Sequence, residues 1–221
     1  VGQAQNGNAN TEHIGAYDFM AAGVSTPENG AVGFDMQHMG ALVQLTITIP
    51  EPSTLSKVVL YSTTKFTKTG TINLTTETPV ITATTQSDTF EIVLNDVTTT
   101  AANEDVIVYF MIAPVDLSDS ELTATIHFAD GTTREVEIVG KNLQAGKAYR
   151  FTTEIEANFY LDGVAYMSNA GVLSEIMSIE DMNTITSLKI IGKINGSDIL
   201  TLHTMPALKY LDLSKVNIVS G

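Results

Sequence analysis

Imidazole-based metal or acid–base chemistry in this chain would have to come from its four histidines, His13, His38, His127 and His203. None stands in H-x-H or H-x-x-x-H spacing, so no local pair presents two nitrogens to one cation. There is no cysteine, which removes disulfides, thiolate metal sites and Cys nucleophiles together. No G-x-S-x-G elbow occurs, so no serine is set on the strained turn that would expose it as a nucleophile. Carboxylate pairs for sugar hydrolysis are defined by their separation in space. With no Trp and few clustered aromatics, however, a sugar-stacking cleft has little to be made from.

Two segments come nearer to chemistry. Gly140-Lys141-Asn142-Leu143-Gln144-Ala145-Gly146-Lys147-Ala148 has the outline of a phosphate loop. It carries five residues between its glycines where four are required, and Ala148 stands where a hydroxyl must hold Mg²⁺. A strand pattern follows, so no helix N-terminus faces a phosphate; the segment reads as a turn. Asp116-Leu117-Ser118-Asp119-Ser120-Glu121 gathers Asp116, Asp119 and Glu121, the one weak candidate for Ca²⁺. It lacks the central Gly and ligand spacing of an EF-hand. It reads as an acidic turn whose Ser and Asp side chains bond the local backbone. The expectation is a non-enzyme with no cofactor.

Elements that could position any of these residues are mostly strands. Thr occurs 30 times, 16 of them between Thr54 and Thr100, and a β-branched side chain prefers extended backbone. Leu42–Ile49 alternates, with Val43, Leu45, Ile47 and Ile49 on one face, and Pro50 and Pro52 stop it. Short strands are predicted at Lys57–Tyr61, Thr71–Leu74 and Thr89–Leu94. Val106–Ile112 is nearly continuous in apolar character, the pattern of a central strand buried on both faces. Leu122–Phe128 and Thr133–Val139 form a hairpin, with Asp130-Gly131 predicted as its type I′ turn. Tyr149–Ile155 closes the series. Val1–Thr11, rich in Gly, Asn and Gln, reads as a flexible lead. Strands of this length at this spacing describe a β-sandwich.

The texture changes near Ala157. Val172–Ile179 is apolar at helical spacing after a cap candidate at Asn169. Leu188-Lys189-Ile190 and Leu211-Asp212-Leu213 then recur 23 residues apart, and Leu208–Leu213 has the L-x-x-L-x-L spacing of a leucine-rich repeat. Asp198–His203 would be its helical side. The organisation expected is a mainly β chain with a sandwich over residues 1–157, followed over 158–221 by a helix and about two leucine-rich repeats, a short α/β stub. Two repeats bury too little to stand alone, so the chain reads either as a fragment or as one whose first domain buries the open flank of the stub.

Net charge is −14, with ten carboxylates and no basic residue between Lys68 and Arg134. Such a surface repels phosphate backbones and anionic lipid, which argues against nucleic acid as a partner and against peripheral membrane binding. No apolar run reaches the roughly 18 residues that a membrane-spanning helix needs. The start at Val1 rather than Met reads as loss of a leader, for which a signal peptide is one candidate.

Phe34-Asp35-Met36-Gln37-His38-Met39-Gly40-Ala41-Leu42-Val43-Gln44-Leu45 resembles the F-x-x-x-H-x-x-A-x-h-x-h signature of fimbrillin-like proteins, surface and pilus proteins of Gram-negative anaerobes. Tyr17-Asp18-Phe19-Met20 resembles the D-F-M segment that precedes it there. Phe110–Pro114, the Asp130-Gly131 hairpin and Leu143–Tyr149 resemble later landmarks in the same order, so the likeness runs from Tyr17 to Ile155. It implies a transthyretin-like β-sandwich, export as a lipoprotein to the cell surface or outer membrane, an N-terminal lipid anchor outside this segment, and work as a stalk, tip or anchor subunit. His38 would close hydrogen bonds where a strand begins. The chain departs from the family in turning to leucine-rich-repeat sequence, and in having Arg134 as its first Arg, deep in the domain.

The function expected is non-catalytic adhesion or fimbrial anchoring, with other surface or fimbrial subunits, host protein or glycan as partners. The weak candidate ligand-binding residues are Lys189, Lys193, Lys209, Tyr210 and Asp212, on the concave side of the repeat. The alternative is a carbohydrate-binding module for nutrient capture, which would need an exposed platform from Tyr160, Tyr166 or Tyr210.

Overall fold

A computed structural model describes residues 2–220. They form two compact units, one ending at Ile155 and the other beginning at Glu156. The first contains β1 (Gln3–Asn6), β2 (Met20–Ala21), β3 (Gln37–His38), β4 (Ala41–Ile49), β5 (Thr54–Asn73), β6 (Val80–Thr98), β7 (Glu104–Ile112), β8 (Val115–Asp116), β9 (Leu122–Phe128), β10 (Thr133–Glu137), β11 (Asn142–Leu143) and β12 (Ala148–Glu154). The main sheets run β1-β6-β5-β9-β10 and β12-β4-β7, with β2–β3 and β8–β11 as small pairs. The fold is mainly β, a sandwich as the alternation predicts.

Strand β4 shows why. Ala41, Val43, Leu45, Ile47 and Ile49 are all buried and the residues between them are half-buried, since successive side chains of a strand point to opposite faces. Val58, Ile92, Ala124 and Ile126 of the five-stranded sheet share one core with them. Burying each such aliphatic side chain contributes about 1.5–3 kcal/mol.

Four local expectations for this first unit are corrected. The short strands predicted through the Thr-rich region are parts of two long ones. Beyond Ser62, β5 loses its partner β9 and continues paired with β6 alone, a two-stranded ribbon reaching to Asn73 and Val80. Its exposed threonines bond across it, Thr69 with Thr84 at 2.8 Å and with Thr85 at 2.6 Å. Cross-strand hydroxyl pairs of this kind stabilise a wet ribbon that has little apolar face.

Val1–Thr11 is not a flexible lead over the described residues, and Val106–Ile112 is not a central strand. Strand β7 pairs through its backbone with β4 on one side only. On its other side, side chains of the N-terminal segment meet its backbone. Gln5 Oε1 accepts from Tyr109 N at 2.8 Å, and Gln5 Nε2 donates to Ile107 O at 2.8 Å. Gln3 makes the same pair of bonds with Met111. Asn8 Oδ1 accepts from Ile107 N and Asn8 Nδ2 donates to Asp105 O. Meanwhile the backbone of β1 pairs in parallel with β6. One segment therefore joins the two sheets, with the backbone of β1 on one and its carboxamides, helped by the Ala9 N–H on Ile107 O, on the other. An open strand edge is a template for unwanted pairing, and these amides cover it.

The hairpin at Asp130-Gly131 is real, but its turn is not type I′. Gly131 has φ +87° while Asp130 keeps negative φ. Gly131 N donates to Phe128 O, and Phe128 N to Thr132 O, the bonding of a three-residue loop with a G1 bulge. Turns with both residues at positive φ are found instead at Asn29-Gly30 in the first unit and at Asp162-Gly163 in the second.

That unit contains β13 (Asn158–Leu161), β14 (Val164–Met167), α1 (Leu173–Ile176), α2 (Ile179–Thr184), β15 (Ser187–Ile194), α3 (Gly196–His203) and β16 (Tyr210–Ile218). Its sheet runs β13-β14-β15-β16, and β14, β15 and β16 are parallel. Leu188 and Leu211, 23 residues apart in sequence, are register partners, with α3 in the connection between them. The single helix predicted from Val172 to Ile179 is broken. Met177 is extended, and Ser178 begins α2 by accepting from Asp181 N. Asn169 does not cap α1.

Candidate binding surfaces

The helices and turns of the second unit are tied together by one carboxylate. Asp198, on the first turn of α3, is fully buried. Its Oδ2 accepts from Gly171 N at 2.6 Å and from Asn195 N at 2.9 Å, and its Oδ1 accepts from Leu173 N at 3.0 Å. The Asn195 bond completes a capping box for α3. The Leu173 bond satisfies an amide at the start of α1, 25 residues away in sequence. Sequence reading took Asp198 only as the start of a helix; its signal was the N-x-x-D spacing of a capping box.

On the face of this sheet away from the core, register lines up residues of four strands. Lys215, Ile191, Tyr166 and Phe159 form one row, and Asp212, Lys189, Val164 and Leu161 the next. The Phe159 and Tyr166 rings stack with centroids 4.6 Å apart. Among the residues expected to bind a ligand, Lys189 and Asp212 face each other across the β15–β16 pair, with Nζ 3.6 Å from Oδ2. Hydrogen bonds from Ser214 hold the Asp212 carboxyl below the usual carboxylate range, with Lys189 adding to the effect. These two are partners of one another. Lys193, Lys209 and Tyr210 are exposed, Lys193 opposite Asn217 and Tyr210 opposite Ser187. The set thus divides into an internal ion pair and three exposed side chains. Lys215, in the same aligned rows, was missed because a bulge in β16 shifts it onto the face shared with Asp212.

The three tyrosines considered as a sugar platform part company. Tyr160 packs against the core of the unit, Tyr166 is stacked on Phe159, and Tyr210 alone is highly exposed. No flat aromatic platform is built from them.

The inner side of β16 differs from that of its neighbour. Leu188 is 1% exposed while its register partner Leu211 is 42% exposed; Ile194 is 1% exposed while its partner Ile218 is 67% exposed. Leu213 is also exposed. Among the described residues no strand pairs with the far edge of β16.

In the first unit, the chemistry-bearing residues are engaged locally. Asp116 Oδ1 accepts from both Ser118 Oγ and Ser118 N, and these bonds lower its pKa from the ordinary value. This is the Asx turn expected of the acidic segment. Among the described residues no group of three His, Cys, Asp or Glu side chains comes together to hold a metal ion. Gly140 lies where a Cβ would meet Leu117 O, and β12 follows the Gly146 turn, so the loop resembling a phosphate site is a tight backbone crossing. His38 Nδ1 lies 2.9 Å from the Asp18 carboxylate. Strands β2 and β3 bring these two together, with Met20 opposite His38.

Fold and surfaces together define a mainly β sandwich protein extended by a parallel strand–helix unit. The chain belongs to the fimbrillin-like family, whose model matches residues 2–172, reaching past the sandwich through β13 and β14. Membership implies a cell-surface location. No curated protein matches the chain. Solved structures of candidate cell adhesion proteins are similar to it in part. That from Bacteroides ovatus is 19% identical with TM-score 0.38, the match covering 55% of this chain and 41% of that one. That from Bacteroides uniformis is 22% identical with TM-score 0.38, covering 57% and 49%. That from Bacteroides fragilis is 14% identical with TM-score 0.31, covering 60% and 45%. The chain thus matches less than half the length of each of these proteins. No helix is long and apolar enough to cross a membrane among the described residues.

Proposed function

We propose that this chain is a non-catalytic adhesion or fimbrial anchor protein that works by protein–protein contact through its second unit. In this reading residues 1–157 are a fimbrillin-like domain, and 158–221 are a leucine-rich-repeat module displayed by it at the outer membrane, with a lipid anchor outside this segment. The observation that carries the reading is β16. Its inner apolar residues Leu211, Leu213 and Ile218 are exposed beside buried counterparts on β15, and its far edge is unpaired among the described residues. An exposed apolar patch with a strand edge suits strand addition by another protein. Lys193, Lys209 and Tyr210 are further exposed side chains of the same unit. The partners proposed are other surface or fimbrial subunits, or a host protein.

The test is binding of the purified chain to arrayed surface subunits, host proteins and glycans. Leu213→Asp and Lys193→Glu are each expected to weaken capture of a protein partner by about tenfold or more, the effect of losing about 1.4 kcal/mol. Capture unaffected by both changes, or binding to glycans only, would sink the reading.

A further inference from the structure

One hollow of the sandwich unit has no place in that account. Where the β5–β6 ribbon leaves the sandwich, a cavity of about 490 Å³ opens, within the range of about 300–1,000 Å³ typical of small-molecule sites. Its apolar wall includes Phe19, Ile72, Ile81, Phe90 and Met111. The polar groups around it are almost all spoken for. The Glu91 carboxylate is 2.9 Å from Lys57 Nζ. The Gln3 carboxamide is bonded to Met111, the Thr69 hydroxyl to Thr84 and Thr85, and the Tyr17 hydroxyl to Gly2 O.

Lys68 is different. Its Nζ lies 5.3 Å from the centroid of the Phe90 ring, and among the described residues it has no carboxylate partner. Among the described residues other lysines, such as Lys65 and Lys193, also lack such a partner; what sets Lys68 apart is its place in the lining of this cavity, beside Phe90. The contact with the ring of Phe90 holds the ammonium beside the cavity wall. An apolar hollow with one unneutralised cation beside it selects a ligand with an apolar body and an anionic end.

We propose that this cavity binds an amphipathic carboxylate, a medium-chain fatty acid, with its methylenes against Phe19, Phe90, Ile72 and Met111 and its carboxylate on Lys68. Each buried methylene adds affinity, and the charge-assisted bond to the ammonium sets the head-group preference. This site belongs to the first unit alone and does not depend on the protein contacts proposed for the second.

The experiment is titration calorimetry of the intact chain with dodecanoate and with dodecanol, which share a tail and differ in charge. Dodecanoate should bind saturably at one site, and dodecanol about tenfold more weakly. Lys68→Glu, on an exposed stretch of the ribbon, should weaken dodecanoate by about tenfold or more and leave dodecanol unchanged, with the thermal midpoint of the protein unmoved. Absence of saturable dodecanoate binding, equal affinity for the alcohol, or full dodecanoate affinity in Lys68→Glu each overturns the assignment.

Discussion

Gln5 and Tyr109 are joined as two strands would be, except that one partner is a side chain: Gln5 Oε1 accepts the Tyr109 backbone N–H at 2.8 Å. Gln5 is fully buried, and its Nε2 also serves Ile107 O. Gln5→Leu keeps the bulk but leaves two backbone groups of β7 without those bonds. Ile107 O keeps a bond from Ala9 N, whereas Tyr109 N is left unmet; one unmet group costs about 1–3 kcal/mol, and a loss of that size is expected in urea unfolding. Light scattering should show association through the uncovered β7 edge. A loss below about 1 kcal/mol would mean that water or neighbouring groups replace the carboxamide.

Asp198 holds three backbone amides from two segments far apart in sequence. Asn in its place keeps the shape but has one acceptor oxygen instead of two. Hydrogen bonds to a charged acceptor are worth about 1.5–3 kcal/mol each, and Asp198→Asn is expected to lose at least one of them. Amide exchange at Gly171, Leu173 and Asn195 should quicken while exchange within β4 and β9 stays the same. Equal acceleration in both units would show that the residue supports more than its own.

His127 lies opposite Lys57 on the five-stranded sheet. Burial, and then the Lys57 charge, lower its imidazole pKa below the ordinary value, while Glu91 acts the other way. The folded state thus binds this proton less readily than the unfolded chain. The stability involved is fully present above the unfolded value of about 6.5 and is lost as pH falls through the folded pKa. The thermal midpoint should drop as pH is lowered from about 7 to 5, and His127→Gln should flatten the profile over that window. An unchanged slope in the variant would assign the acid sensitivity of that window to other groups, and not to Glu104, whose pKa the Thr100 and Ala101 amides lower and whose contribution is lost only below its ordinary carboxylate range.

His38 and Asp18 form an exposed pair, with the imidazole about half exposed. Exposed pairs are worth about 0–1 kcal/mol, so His38→Ala should cost less than about 1 kcal/mol in urea unfolding. A larger loss would give the pair a role in fixing β2 against β3 beyond its charge.

Much of this protein can be read along the chain because period-2 alternation is local. Val43, Leu45, Ile47 and Ile49, and Leu122, Ala124 and Ile126, declare their buried face within a single strand. The 23-residue spacing of Leu188 and Leu211 likewise anticipates the register in which β15 and β16 pair. Gln3 and Gln5 also alternate, but a hydrophobic pattern is silent on amides. Their meaning appears only when β7, about 100 residues later, arrives with its backbone unpaired. The Thr-rich ribbon was broken into pieces on the page because no apolar face marks its continuity. Asp198 reads as an ordinary helix start until the Gly171–Leu173 segment, more than 20 residues before it, comes to rest on its carboxylate. Alternation and repeat length are properties of the chain itself. Which hydrogen-bond partner a buried polar group finds, and which lysine is left beside an apolar hollow, depends on segments that only folding brings together.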